Sequence, residues 1–205
     1  MHVAIAGNIG CGKTTLAKKL GRDYNWNVEL ESVDDNPYLK DFYEDMSRWS
    51  FHLQVFFLNS RFKQISAIQS SEKGTIQDRT IYEDAHIFAA NLKQSNFISE
   101  RDYQTYLELF KSMIKYVQPP DLLIYLRSDI PKLVDNIQKR GRDYEALIRL
   151  EYLTNLNIHY EDWIDGYDKG KVLIIDVNKL DFVKSIEDYS LIVEKVNLEI
   201  NGLFS

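Results

Sequence analysis

The chain has 205 residues, 44% hydrophobic and 27% charged, which suits one α/β domain with a full core and is too short for two. A net charge of −6 argues against DNA or RNA as the main ligand, since polyanion binding rests on clustered Lys and Arg, although a local basic site for one triphosphate stays possible. The single cysteine, Cys11, rules out an intrachain disulfide and a Cys/His metal cluster and fits a reducing, cytoplasmic setting.

The opening "MHVAIAG" is too short for a signal segment or a membrane span, so no membrane partner is expected. Five short apolar runs predict buried strands: "HVAIA" (2–6), "NVELE" (27–31), "GTIQD" (74–78), "DLLIYL" (121–126) and "VLIIDV" (172–177). Longer helical patterns separate them, and strands alternating with helices imply right-handed crossovers and a parallel sheet. The segment 47–69 is apolar on more than one face, so neighbours or a partner subunit should bury it. Ser99 to Asp102 reads as a capping box opening a helix over 101–117, which Pro119 and Pro120 stop. Pro131 marks the first turn of the helix after strand four, and Gly166 and Gly202 mark the ends of two late helices.

Between the first strand and first helix lies "GNIGCGKTT", which fits the phosphate-loop pattern Gly-x4-Gly-Lys-Thr. Backbone N–H groups of such a loop and the helix N-terminus cradle phosphates; Lys13 would reach the β/γ oxygens and the Thr14 hydroxyl would ligate Mg²⁺. Within the loop, Cys11 reads as a small residue that fits a tight turn. In an open parallel sheet, ligands bind beyond the carboxyl ends of the strands. There the sequence places Glu31, Asp34 and Asp35 after strand two, Asp78 and Arg79 after strand three, Arg127 after strand four, and Asp176 and Asn178 at strand five. Asp78 is favoured over Asp176 as a second metal-assisting acid. Glu31 suits either a base for a hydroxyl acceptor or a solvent-facing member of an acidic turn. Arg140 and Arg142 flank Gly141 in "QKRGRDYE", as in a lid whose arginines compensate transition-state charge. His2, His52, His86 and His159 form no pair with metal or acid spacing.

Taken together, "GNIGCGKTTL", "DDNPYL", "RWSFHLQ", "DRTIYEDAHIFAANL", "RGRDYE" and "EYLTNL" resemble the deoxyribonucleoside kinases over nearly the whole chain, and within them the bacterial deoxyadenosine/deoxyguanosine kinases. The resemblance implies one domain over 1–205 with the P-loop kinase fold: a five-stranded parallel sheet in order 2-3-1-4-5, flanking helices and an arginine-bearing lid near 138–150. It implies ATP and Mg²⁺, a deoxynucleoside acceptor phosphorylated at its 5′-OH, and a homodimer. The triphosphate would lie on Gly7, Asn8, Ile9, Gly10, Cys11, Gly12, Lys13, Thr14 and Thr15, with Asp176, Val177 and Asn178 near its adenine. Glu31 would be the base, Arg79 would hold that base and the 5′ oxygen, and Asp78 would assist the metal with Thr14. Tyr43 and Glu145 would grip the 3′-OH, and Tyr43 would crowd a 2′-OH. Gln54 would read the base edge beside Arg61 and Asp84, Phe88 would stack on the base, and Lys13, Arg140 and Arg142 would spread the transferring charge.

Four positions depart from the family's pattern. Glu31-Ser32-Val33 replaces the usual Glu-Pro-Val, freeing one backbone dihedral. Ala85 replaces an arginine beside Asp84, which is expected to open room near the base. Ala6 replaces a frequent acid before the loop, and Asn136 a frequent lid-helix arginine. Two other readings compete. A nucleoside-monophosphate kinase of the thymidylate kinase type would need cations in the acceptor pocket to hold a phosphate. A non-catalytic nucleotide-sensing module would need a base-reading motif that does not stand out.

Overall fold

The alternation of strands and helices makes every strand pair parallel. In the computed structural model, which describes residues 1–31, 33 and 36–202, the strands form one parallel sheet in order β2-β3-β1-β4-β5. They are β1 (His2–Ala6), β2 (Asn27–Glu29), β3 (Thr75–Asp78), β4 (Leu122–Arg127) and β5 (Lys171–Asp176). The acidic-turn residues Asp34 and Asp35 and the Ser32 departure lie outside the described residues.

β1 is central, with Ile5 in register with Asp78 on one side and Ile124 on the other. Side chains alternate across it. Val3, Ile5, Ile76, Leu122 and Ile124 face α1 (Lys13–Asp23) and α9 (Ile186–Asn201), where Leu16, Leu20, Ile192 and Val196 complete that core. Ala4, Ala6, Leu123 and Tyr125 face the opposite layer, built with Leu156 and Tyr160 of α8 (Leu150–Asp165). Ala6 is fully buried in that layer.

Two strands are less enclosed than their apolar runs predict. β2 stops at Glu29, and β5 exposes 41% of Ile174, because both are edge strands covered on one side only.

On the outer side, α2 (Leu39–Glu44) leads into α3 (Met46–Gln69), which Asp45 caps by accepting from the Arg48 amide. The inner face of α3 buries Leu53, Leu58 and Ile65, and also the polar Gln54 and Arg61. After β3 the chain forms α4 (Ile81–Glu83), a π-helix (Asp84–Ala89) and α5 (Ala90–Gln94). Ser99 caps α6 (Glu100–Ile114) as predicted, but α6 ends three residues early. Its last turn tightens, with the amides of Tyr116 and Val117 donating to Met113 and Ile114.

Pro131 sits in the first turn of α7 (Ile130–Arg140), and a 3-10 turn (Asp143–Leu147) joins α7 to α8. Gly141, at φ +67°, is the left-handed residue that ends α7. Gly166 and Gly202 also follow helix ends, but at φ −98° and −69°, values open to any residue. Among the described residues no helix is long and apolar enough to cross a membrane.

Candidate active site

The carboxyl ends of the strands open into a cavity of about 820 Å³ running from the phosphate loop to α2, α3 and the π-helix. At one end, Ile9 to Thr15 line it. Gly7 and Asn8 lie just outside the lining, at the root of the loop. Gly7 sits at φ +144°, where an added Cβ would meet Cys11 Sγ at 2.6 Å and the Leu126 carbonyl at 2.9 Å. Cys11 is 1% exposed and packs this root, and burial pushes its thiol pKa up, so the residue serves packing. Lys13 Nζ donates to the Asn8 carbonyl at 3.1 Å, held at the loop's own centre. Asn136 donates to the Gly10 carbonyl at 2.8 Å, so the departure at this position braces the loop instead of supplying charge.

β1 and β3 are neighbours, which brings Thr14 and Asp78 together: Thr14 Oγ1 donates to Asp78 Oδ2 at 2.5 Å. Asp78 is 1% exposed, and its Oδ1 has no hydrogen-bond partner. The rival acid, Asp176, is exposed and spends an oxygen accepting from the Asn178 amide at 2.9 Å. Asn178 in turn accepts from the Asp129 amide, and of the three residues 176–178 only Val177 reaches the cavity.

Arg79 follows Asp78 with φ +72°, an uncommon backbone conformation for a side-chain-bearing residue. The turn aims its guanidinium at Glu31 Oε1, 3.2 Å away, and over the Phe88 ring, 4.2 Å from the centroid. Arg61 Nη2 donates to the same glutamate oxygen at 3.0 Å. Glu31 is therefore no solvent-facing acid: its side chain is 19% exposed and lies between two buried arginines. Burial pushes its pKa up, but Arg79, Arg61, Lys13 and Arg142 outweigh that and hold it below its ordinary value.

Arg61 is fully buried and stands behind the cavity wall, where it also faces Asp84 at 3.6 Å and donates to Gln64. It therefore sits against Asp84 and Glu31, outside the cavity lining, where it supports the acids. Gln54, Asp84 and Phe88 do line the cavity. At the cavity's outer end, Gln54 Oε1 is buried without a hydrogen-bond partner, and Asp84 Oδ2 has only the 3.6 Å ion-pair contact with Arg61 Nε. Ala85 does not open this end. The π-helix turns it the other way, into a cluster with Leu58, Ile81 and Tyr106.

Burial raises the Asp84 pKa to about 7 against the opposing Arg61 and Arg79. A carboxyl whose folded pKa lies above its unfolded value adds stability at low pH and loses it as pH rises through the folded value. Thermal melting is therefore expected to fall from about pH 4 to about 8, most steeply between the ordinary carboxyl value of 3.8 and about 7, and to level off above that; Asp84→Asn should flatten that dependence. An identical slope in the variant would assign the dependence to another group.

The segment joining α7 to α8 lines the third side. Glu145, 5% exposed, accepts from Arg140 Nη2 at 2.6 Å and Arg142 Nη1 at 3.3 Å. All three line the cavity, as do Tyr43 and Tyr144, whose rings stack 5.7 Å apart. The sequence reading missed Lys18, Lys132, Lys139 and Lys184, which line the cavity too. Lys132, Asn136 and Lys139 recur at i, i+4 and i+7 along α7, a pattern that could have shown a cationic helix face. It also missed Phe182, which packs against the loop so closely that a Cβ on Gly12 would meet its Cζ at 2.6 Å.

A phosphate loop at the head of a 2-3-1-4-5 parallel sheet, ringed by cations and facing a pocket of buried polar side chains, defines a P-loop phosphotransferase with an alcohol acceptor. The deoxynucleoside kinase family model matches residues 3–201, and the chain belongs to that family. It is 40% identical, over 96% of its length and 88% of the relative's, to a deoxyadenosine/deoxycytidine kinase of Bacillus subtilis. To a deoxyadenosine kinase of Dictyostelium discoideum it is 42% identical, over 89% of this chain and 74% of the relative. Among solved structures it is similar to deoxyadenosine kinase from M. mycoides with dCMP and dCDP bound, with a TM-score of 0.86 and 32% identity, covering 96% of this chain and 99% of that one. The same enzyme with dATP bound gives a TM-score of 0.85.

Proposed function

We propose that the chain phosphorylates the 5′-OH of deoxynucleosides, deoxyadenosine foremost, with ATP as donor. The observation that carries this is Glu31, held by Arg61 and Arg79 in the wall of a cavity that also holds the phosphate loop. An ionised carboxylate there can take a proton from an alcohol. In the reaction the 5′ oxygen bonds to the γ-phosphorus as the bond to the ADP oxygen breaks, and the hydroxyl proton passes to Glu31. Lys13, Arg140 and Arg142 neutralise charge on the transferring group.

Thr14 and Asp78, with its unpartnered buried oxygen, fit Mg²⁺, a hard cation that takes oxygen ligands and completes its shell with phosphates and water. When bound, it would offset the triphosphate's charge. Tyr43 and Glu145 would hold the 3′-OH. Gln54 carries both a donor and an acceptor and can pair with an adenine edge, and the two deoxyadenosine-using relatives support that preference. The chain folds as one domain, with a lid near 138–150. A homodimer through α3 and α6 accords with their half-buried Phe51, Val55, Phe62, Leu107 and Ile114, and we place the protein in the cytoplasm.

The acceptor end offers Glu31, Tyr43, Asp84 and Glu145, while Arg79 is already paired with Glu31. That set disfavours an incoming monophosphate. Labelled ATP offered with deoxyadenosine, deoxyguanosine, deoxycytidine, thymidine, adenosine and dAMP is expected to label deoxyadenosine fastest. Labelled dADP from dAMP as the main product would favour the monophosphate kinase reading, and binding without transfer a sensing module.

A further inference from the structure

Glu83 is a fully buried acid that the proposed reaction leaves unused. Its Oε2 accepts from the Thr80 amide at 2.7 Å and the Thr80 hydroxyl at 3.1 Å. Its Oε1 accepts from the Tyr160 hydroxyl at 2.8 Å and from the Gly7 amide at 3.4 Å. All four partners donate, which suits an ionised carboxylate. The Thr80 bonds form a capping box that starts α4. Capping does not explain the other two bonds. Gly7 is the first glycine of the phosphate loop, just past the end of β1, and Tyr160 lies on α8, beyond the lid segment.

One side chain thus joins the loop that holds the donor, the turn that carries Arg79 and the helix that follows the lid. These segments must keep register for an in-line transfer, and small misplacement there costs rate steeply. We propose that Glu83 is a positioning residue for phosphoryl transfer, fixing the phosphate loop against the acceptor turn, with Tyr160 tying α8 to the same point. The inference rests on the kinase reading of the cavity, which the wild-type transfer assay tests separately.

The test compares Glu83→Gln, Tyr160→Phe and Thr80→Ala by single-turnover transfer from ATP to deoxyadenosine, by deoxyadenosine Kd measured without ATP, and by Tm. Glu83→Gln is expected to slow transfer about 10- to 100-fold while the nucleoside Kd stays within about threefold. Tyr160→Phe, which leaves the capping box whole, should slow transfer by about three- to tenfold. Thr80→Ala should lower Tm yet keep transfer within about twofold, since it removes the hydroxyl bonds of the cap while the Thr80 amide still ties Glu83 to the turn. A Thr80→Ala rate as low as that of Glu83→Gln, or a nucleoside Kd that weakens in step with the rate, would overturn the proposal. If Glu83→Gln does not fold, Tyr160→Phe decides: an unchanged rate overturns it. Absence of transfer in the wild type overturns the kinase reading and this inference together.

Discussion

Replacing Glu31 by glutamine is expected to lower kcat by roughly 10²–10⁴ with little change in nucleoside KM. Glutamine keeps the shape of the side chain and a carbonyl oxygen for Arg61 Nη2 and Arg79 Nε, which now meet one glutamate oxygen at 3.0 and 3.2 Å. What it loses is the ability to accept a proton. The pocket should therefore still bind the nucleoside, and the loss should fall on the chemical step. Steady-state kinetics with saturating ATP check this, and a kcat near that of the wild type would remove Glu31 from the mechanism.

Arg61→Met is expected to act on stability and pH dependence together. Arg61 is fully buried and faces both Glu31 and Asp84, so its removal leaves two largely buried acids short of a partner. Breaking such an arrangement from one side typically costs about 3–5 kcal/mol. The loss should be larger at pH 8 than at pH 5, because protonation neutralises the stranded carboxyls. Arg61 is also among the cations that lower the Glu31 pKa. A base works only when ionised, so activity fails as pH falls through its pKa. Without Arg61 that pKa rises, and the acid limb of kcat/KM should move to higher pH. Denaturant unfolding at the two pH values and a kcat/KM profile measure both effects. An unfolding free energy equal to the wild type's and an unmoved acid limb would show that Arg79 alone supports Glu31.

The candidate site was legible where its chemistry is local. The phosphate loop is a contiguous run, and Asp78, Arg79 and Glu31 stand at strand ends that the apolar runs marked. The lysines of α7 were missed because the helix was read for its ends and not for its polar face. The expectation for Ala85 rested on the family's arginine at that position, whereas in the fold the residue packs with Leu58, Ile81 and Tyr106 and does not line the cavity. Arg61 was named beside Gln54 and Asp84 only through the family resemblance. In the fold it meets acids arriving from β2 and the π-helix.

The sequence by itself determined the strand and helix alternation, the parallel sheet and the phosphate loop, because each depends on residues close together along the chain. Only the tertiary structure decided that Arg61 and Arg79 converge on one oxygen of Glu31 and that Glu83 reaches Gly7 and Tyr160. Those partners are between 30 and 77 residues apart along the chain. No local preference encodes such a meeting; it exists once the sheet order has set β2, β3 and β1 side by side and burial has removed water as the competing partner.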